Sequence, residues 1–175
     1  MKFSSTQINL PKELAAHVKA ESLKIPDWAL APSGRETEPH ATVKYGIHTN
    51  DPTAVRSAIA GHGKFKIRLG KTSHFPDTGD GDVIKAEVIS PSLHRLNKKI
   101  ASAAPHTDTH PVYQPHVTLA YVKRGLGRKF SGSTALSGKE ATVDHIIFSA
   151  KNGTKTKLRL DQPSSMIPSL KALQS

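Results

Sequence analysis

A seven-residue motif occurs twice in this chain, and its recurrence constrains the fold more than any other feature. Residues 39–45 read PHATVKY and residues 115–121 read PHVTLAY, so proline, histidine, threonine, an aliphatic residue and tyrosine recur in the same order. The copies begin 76 residues apart, and each opens a predicted strand after a loop. Such internal repetition indicates two similar halves. We therefore predict a pseudo-two-fold arrangement in which the two motif strands lie side by side.

Strand geometry assigns the motif side chains to faces, because residues i and i+2 point to the same side of a strand. His40 and Thr42 therefore share one face of the first strand, and His116 and Thr118 share one face of the second. We expect the intervening residues, including the tyrosine that ends each motif, to be buried against helices. Two imidazoles and two hydroxyls would then converge on one open cleft.

These four side chains suit the cleavage of a phosphodiester. Imidazole titrates near neutral pH, so one histidine can take a proton from water while the other gives a proton to the leaving oxygen. The threonine hydroxyls can hydrogen-bond the non-bridging phosphate oxygens. This scheme needs no metal and no other cofactor, and the sequence leaves open which histidine is the base. A single His-x-Thr tripeptide would be a weak signal, so the prediction depends on the matched pair.

The paired motifs resemble those of the 2H phosphoesterase superfamily, which includes the LigT-like 2′-5′ RNA ligases and cyclic nucleotide phosphodiesterases. That family is defined by two motifs of the form His-x-(Thr/Ser)-hydrophobic, here residues 40–43 (HATV) and 116–119 (HVTL). The resemblance covers roughly residues 5–160. It implies an α+β, bilobal fold in which two pseudo-symmetric lobes with antiparallel sheets form a concave cleft, with helices outside.

The same resemblance implies a role for each motif residue. His40 and His116 would be the acid and base, and Thr42 and Thr118 would bind the substrate phosphate without a metal. The implied activity is hydrolysis of a nucleotide or RNA phosphodiester: a 2′,3′-cyclic phosphate, a 2′-5′ linkage or a cyclic oligonucleotide.

Two other functions remain open. A catalytically idle RNA-binding module could use the same fold, although a pure binder need not keep both histidines and both threonines. A basic structural nucleic-acid protein would explain the charge of the chain but would leave the repeat as an accident.

The charge of the chain favours an anionic partner. The 25 Lys and Arg residues against 14 Asp and Glu residues give a formal net charge of +11, which favours binding of RNA or a nucleotide. The basic residues are dispersed, which indicates a shaped basic cleft rather than a charged tail. The chain has no cysteine, which excludes disulfides, cysteine-ligated zinc and a thiol nucleophile.

The N-terminal residues contain no apolar segment typical of a signal peptide, and no apolar run is long enough to cross a membrane. We therefore expect a soluble, cytoplasmic monomer that does not bind a membrane. Local patterning predicts a single domain over residues 1–162 and a flexible tail over residues 163–175. The predicted strands cover residues 5–10, 41–47, 64–69, 83–89, 117–122, 141–149 and 155–160, and the predicted helices cover residues 11–25, 51–59 and 91–104.

Four further residues are candidates for substrate binding. Lys44 shares the face of the first motif histidine if the strand is regular, and can contact phosphate or simply be solvated. Tyr113 precedes the second motif and can line the cleft. Phe75 and Trp28 can stack on a base, although packing in the core is the commoner role of such aromatic residues.

A metal site is the remaining alternative. His106, Asp108, His110 and His116 lie close together in the sequence and are residue types that bind metals. His116 is already assigned to catalysis by the repeat, and three prolines interrupt the segment. We therefore predict no metal site.

Overall fold

The computed structural model describes residues 2–76 and 78–160. The predicted tail at residues 163–175 therefore lies outside the described residues, and the single domain remains a prediction. The strands of the described chain are β1 (Ser4–Asn9), β2 (Leu30–Arg35), β3 (His40–Ile47), β4 (Phe65–Phe75), β5 (Asp82–Ile89), β6 (His116–Val122), β7 (Glu140–Val143), β8 (His145–Ser149) and β9 (Lys155–Arg159). The helices are α1 (Lys12–Ser22), α2 (Thr53–Ile59) and α3 (Pro91–Ala103), with a short 3₁₀ helix at Asp27–Ala29.

The strands form two antiparallel sheets. One has four strands in the order β3-β1-β8-β9, and the other has five strands in the order β2-β6-β5-β4-β7. This architecture confirms the predicted α+β class with antiparallel sheets. The motif strands β3 and β6 belong to different sheets but lie close to each other. They are therefore spatial neighbours, as expected, without being hydrogen-bonded partners.

Each motif strand packs against a helix from the other half of the chain. Helix α1 contacts β6, helix α3 contacts β3, and α2 packs on α3. Apolar residues of α1 and α3 and of the two motif strands join one buried core. Ser90 followed by Pro91 predicts the start of a helix, and at the start of α3 the Ser90 hydroxyl accepts a hydrogen bond from the amide of Leu93 at 3.2 Å. This packing leaves the histidine and threonine side chains on the opposite side of each strand.

The polar segment at residues 32–39 predicts a loop, and this prediction is wrong over its first part, because Leu30–Arg35 forms strand β2. This strand lies at the edge of the five-stranded sheet and pairs only with β6, in an irregular register. It contains Pro32 and Gly34, which are typical of loops in a sequence. An edge strand can accommodate both residues, because one side of its backbone has no strand partner. The first helix, predicted as far as residue 25, ends at Ser22, and Leu23 directly after it is 68% exposed.

The predicted single strand at residues 141–149 is two strands. Strand β7 pairs with β4 in one sheet, and β8 pairs with β1 in the other. The chain changes sheets at Asp144, whose carbonyl accepts a hydrogen bond from the amide of Leu160 at 2.8 Å. Residues 141–149 read ATVDHIIFS, with no glycine or proline at this corner, so no turn signal in the sequence reveals the change of partner.

Candidate active site

The two motif histidines are held in the same way. Nδ1 of His40 donates a hydrogen bond to the carbonyl of Glu38 at 2.9 Å, and Nδ1 of His116 donates to the carbonyl of Gln114 at 2.8 Å. Because a carbonyl can only accept, both neutral rings carry their proton on Nδ1 and leave a lone pair on Nε2. Neither Nε2 has a hydrogen-bond partner among residues 2–76 and 78–160. Each ring therefore has one nitrogen free to exchange a proton.

The proline before each histidine is also anchored equivalently. The carbonyl of Pro39 accepts a hydrogen bond from the amide of Leu10, and the carbonyl of Pro115 accepts one from the amide of Val88, both at 3.0 Å. Each hydrogen bond ties the start of a motif strand to a neighbouring segment. The sequence repeat thus corresponds to a structural repeat.

Both motif strands contain a β-bulge directly after the threonine. Strand β3 advances two residues, from Thr42 to Lys44, while its partner β1 advances one. Strand β6 does the same against β5, between Thr118 and Ala120. The extra residue shifts the alternation of faces by one position. The bulges therefore change the side to which the rest of each motif points.

The motif tyrosines are the residues most affected. Burial of both tyrosines was predicted from a regular strand, and this prediction is wrong. Tyr45 is 39% exposed, Tyr121 is half-buried, and both line the same cavity as the threonines. Partial burial raises the pKa of the Tyr121 hydroxyl, and the nearby Glu36 and Asp80 carboxylates add to this effect.

The cavity next to the motif strands has a volume of about 920 Å³. Its wall includes Thr42, His116 and Thr118, together with residues of α3 and of the loop that precedes β6. His40 is not part of the wall, but it lies near enough to His116 to act electrostatically on it. The cavity is lined by four aromatic residues, Tyr45, Phe75, Tyr113 and Tyr121.

His116 has the more perturbed environment of the two motif histidines. Burial lowers the pKa of its imidazole, and the positive charge of Lys85 lowers it further. The ring of Phe75 packs edge-to-face on it, with ring centres 5.2 Å apart. Phe75 therefore lies at the predicted site, where it contacts the motif histidine.

Lys85 is a site residue that the sequence reasoning missed. It faces Thr118 across the β5–β6 pairing, and its Nζ lies 4.3 Å from the centre of the Phe75 ring. The ammonium donates a hydrogen bond to the Ser73 hydroxyl at 2.7 Å, and burial lowers its pKa. The available signal was Lys85 within the mainly apolar run VIKAEVI at residues 83–89, because a lysine is seldom buried without a functional or structural partner.

Lys44 also lines the cavity, although the bulge removes the regular spacing on which its prediction depended. The side chain is buried, and its Nζ lies 2.5 Å from a carboxylate oxygen of Asp108. The hydrogen bond from Lys44 holds the pKa of Asp108 below its usual value. Contact of Lys44 with substrate phosphate stays a prediction. In this structure its ammonium group is paired with the Asp108 carboxylate.

The loop carrying Asp108 is fastened to β3 at Gly46. The amide of Thr107 donates to the carbonyl of Gly46 at 2.9 Å, and the amide of His48 donates to the carbonyl of Pro105 at 3.0 Å. Gly46 has a φ of 85°, and a Cβ there would lie 2.0 Å from the carbonyl oxygen of Thr107. Only glycine permits this approach, which closes one side of the cavity.

Tyr113 lines the cavity as predicted, and its hydroxyl donates a hydrogen bond to the carbonyl of Thr42 at 2.8 Å. Asn97 of α3 donates to the next carbonyl, that of Val43, at 2.6 Å. Strand β3 is at the edge of its sheet, so these side chains satisfy carbonyls on its open side. Burial raises the pKa of Tyr113, which suits a hydroxyl that stays a donor.

Two further predictions from the sequence concern Trp28 and the possible metal ligands around His106. Trp28 lies outside the cavity wall and is 56% exposed, so the expectation that it packs in the core is wrong, and its stacking on a base stays a prediction. His106 lies 3.6 Å from Asp108, but the described chain contains no group of three or more histidine, aspartate or glutamate side chains placed to hold a metal.

Comparison with known families identifies the chain. Residues 10–153, which include both motifs, match the family model described as the 2′-5′ RNA ligase superfamily. The chain belongs to this superfamily. Membership confirms the resemblance to the 2H phosphoesterases and indicates phosphoesterase chemistry. No helix among the described residues is long and apolar enough to cross a membrane.

Several solved structures have the same fold as this chain, although their sequences are less than 20% identical to it. TT0787 of Thermus thermophilus is 18% identical, with a TM-score of 0.66 over 90% of this chain and 97% of that one. A protein described as a phosphoesterase is 16% identical, with a TM-score of 0.62 over 92% and 96%. E. coli LigT complexed with 3′-AMP is 18% identical, with a TM-score of 0.61 over 91% and 95%. A sequence search of curated proteins finds no match.

Proposed function

We propose that this protein is a metal-independent phosphodiesterase that hydrolyses a nucleotide or RNA phosphodiester. The proposal depends above all on the duplicated geometry of the two motifs beside one cavity. Each motif presents a histidine with the same tautomer and a threonine that is followed by the same bulge. Two imidazoles and two hydroxyls are sufficient for acid–base cleavage with phosphate orientation.

The electrostatics favour His116 as the general base. Burial and the Lys85 charge lower the pKa of His116, so the ring is neutral near neutral pH and its Nε2 can accept a proton from water. His40 then gives a proton to the leaving oxygen from its own Nε2. The hydroxyls of Thr42 and Thr118 donate hydrogen bonds to the non-bridging oxygens, where negative charge grows in the transition state.

The cavity supports a nucleotide as the substrate. A volume of about 920 Å³ with four aromatic rings is suited to bases and ribose as well as phosphate. LigT, which shares the fold, was solved with 3′-AMP, NADP⁺ and ATP. The candidate linkages are a 2′,3′-cyclic phosphate, a 2′-5′ linkage and a cyclic oligonucleotide. A panel with one member of each class, followed by identification of the products, selects among them.

The catalytic roles are tested with His40→Ala and His116→Ala. We expect each to lower kcat/KM by roughly 10²–10⁴-fold, because each removes one proton-transfer group. Thr42→Ala and Thr118→Ala should each lower kcat/KM by roughly 10–10³-fold, because each removes a hydrogen bond to the transition state. Circular dichroism should be unchanged for all four. His17→Ala, an exposed histidine of α1, is the matched control and should keep full activity.

Near-normal turnover in either motif-histidine variant would contradict the assignment. Wild-type protein that binds RNA but cleaves no member of the panel would instead support the catalytically idle RNA-binding module.

A further inference from the structure

An exposed aromatic and basic patch lies outside the cavity. We define it by Trp28, Phe130, Lys123, Arg128 and Lys129. The rings of Trp28 and Phe130 pack edge-to-face with centres 6.1 Å apart. Nζ of Lys129 lies 5.4 Å from the Trp28 ring centre and 5.7 Å from that of Phe130. None of the five residues belongs to the cavity wall.

The turn around Gly125 and Gly127, which precedes Arg128 and Lys129, is stabilised by a buried side chain. A single carboxylate oxygen of buried Asp82 accepts hydrogen bonds from the amides of Gly125 and Gly127, at 3.0 and 2.9 Å. A Cβ at Gly127 would lie 2.9 Å from the Asp82 side chain and 2.7 Å from that of His74. The turn is therefore pressed against the end of the β4–β5 pair, and Arg128 and Lys129, which follow it, are exposed.

The charge of this patch is strongly positive. Residues 123–130 read KRGLGRKF, with no acidic side chain, and the three cationic residues of the patch, Lys123, Arg128 and Lys129, are exposed. The carboxylate nearest to Trp28 in sequence, Asp27, is paired with Arg35 at 2.9 Å. Asp80 lies with Lys123 in a shallow groove beside the patch. The patch therefore suits a polyanion.

The exposed indole favours one class of polyanion. An exposed ring surrounded by cations is the residue set with which proteins bind single-stranded nucleic acid, because bases stack on the ring and phosphates meet the cations. The patch begins where β6 ends, and β6 begins at His116. A seven-residue strand spans about 20 Å, which is about six stacked nucleotides at 3.4 Å each. An RNA chain can therefore reach from the cavity to the patch.

We propose that the patch binds the single-stranded flank of an RNA, several nucleotides from the phosphodiester held at the cavity. The position of the scissile bond rests on the proposed function. Binding at the patch does not, and it can be measured without cleavage.

Trp28 is the only tryptophan of the chain, so its fluorescence reports on this patch directly. The experiment titrates the His116→Ala variant, which should cleave roughly 10²–10⁴-fold more slowly than the wild type, with a twelve-nucleotide single-stranded RNA. We expect the RNA to quench Trp28 fluorescence, whereas a 2′,3′-cyclic mononucleotide should not. Adding Trp28→Ala should weaken binding roughly 5- to 150-fold, as loss of one stacked base predicts. This binding is measured by anisotropy of labelled RNA, and Trp28→Phe should retain most of it.

A second experiment tests the contribution of the cationic side chains of the patch to RNA binding. Arg128→Ala/Lys129→Ala should make the slope of log affinity against log salt shallower by about 1.4, because each phosphate contact on a single strand contributes about 0.7. The matched control is Lys151→Ala/Lys155→Ala, which removes the same charge from exposed positions around the β8–β9 turn and should change the slope much less.

Several outcomes would overturn the proposal. These are equal effects of the two charge pairs, unchanged RNA affinity in Trp28→Ala, or equal quenching by the cyclic mononucleotide. Competition by polyglutamate as strong as by RNA, without quenching, would assign the patch to acidic proteins. RNA binding with quenching, but no cleavage by the wild type, would leave the patch standing and refute the phosphodiesterase.

Discussion

Replacement of Gly46 by alanine tests whether the loop fastened to β3 shapes the cavity. The added Cβ would lie 2.0 Å from the carbonyl oxygen of Thr107, so the loop must move away from the strand. Movement would disturb two backbone hydrogen bonds, from Thr107 to Gly46 and from His48 to Pro105. It would also draw Asp108 away from Lys44 and open one side of the cavity.

The structure gives the scale of this change. Alanine in the left-handed conformation costs about 1–2 kcal/mol. Each lost hydrogen bond costs about 0.5–1.5 kcal/mol, so the free energy of unfolding should fall by roughly 2–5 kcal/mol. At about 2–4 °C per kcal/mol for a domain of this size, Tm should fall by roughly 4–20 °C. Gly61→Ala is the matched control, because Gly61 has a similar φ of 80° but open space around its Cβ position. Its Tm should fall by only about 2–8 °C.

The assay combines thermal unfolding with steady-state kinetics on the best substrate of the panel. Gly46→Ala should raise KM several-fold at a temperature where the variant is folded, whereas Gly61→Ala should leave KM unchanged. Equal losses of Tm together with equal KM values would refute the reasoning, since the left-handed backbone alone would then explain both variants.

Two further predictions concern the chemistry. The pH profile of kcat/KM should be bell-shaped about neutrality, because one histidine must be neutral and the other protonated. Lys85→Met should move the acidic limb to higher pH, since it removes a positive charge that lowers the pKa of His116; an unmoved limb would count against His116 as the base. Turnover should survive exhaustive dialysis against EDTA, and a loss of turnover reversed by zinc, manganese or magnesium would revive the metal site at His106, Asp108 and His110.

The sequence alone was sufficient for the features that depend on local spacing. The repeated motif predicted two equivalent strands, and the i, i+2 spacing placed each histidine and its threonine on one face. Alternating and helical patterns predicted the three helices and most of the strands, including the capped start of α3 at Ser90. These properties are set by neighbours along the chain, so local patterns are enough to predict them.

The tertiary structure decided how distant segments meet. The bulges after Thr42 and Thr118 depend on the register with β1 and β5, and only they direct Tyr45 and Tyr121 into the cavity. Lys85 reaches the site because β5 pairs with β6.

Strand β2, the sheet change at Asp144 and the exposed position of Trp28 beside Phe130 likewise depend on contacts between residues far apart in sequence. Local alternation determines where a side chain points relative to its own strand. Register and partner choice are set by burial of both strands at once, and the sequence of one strand does not contain that information.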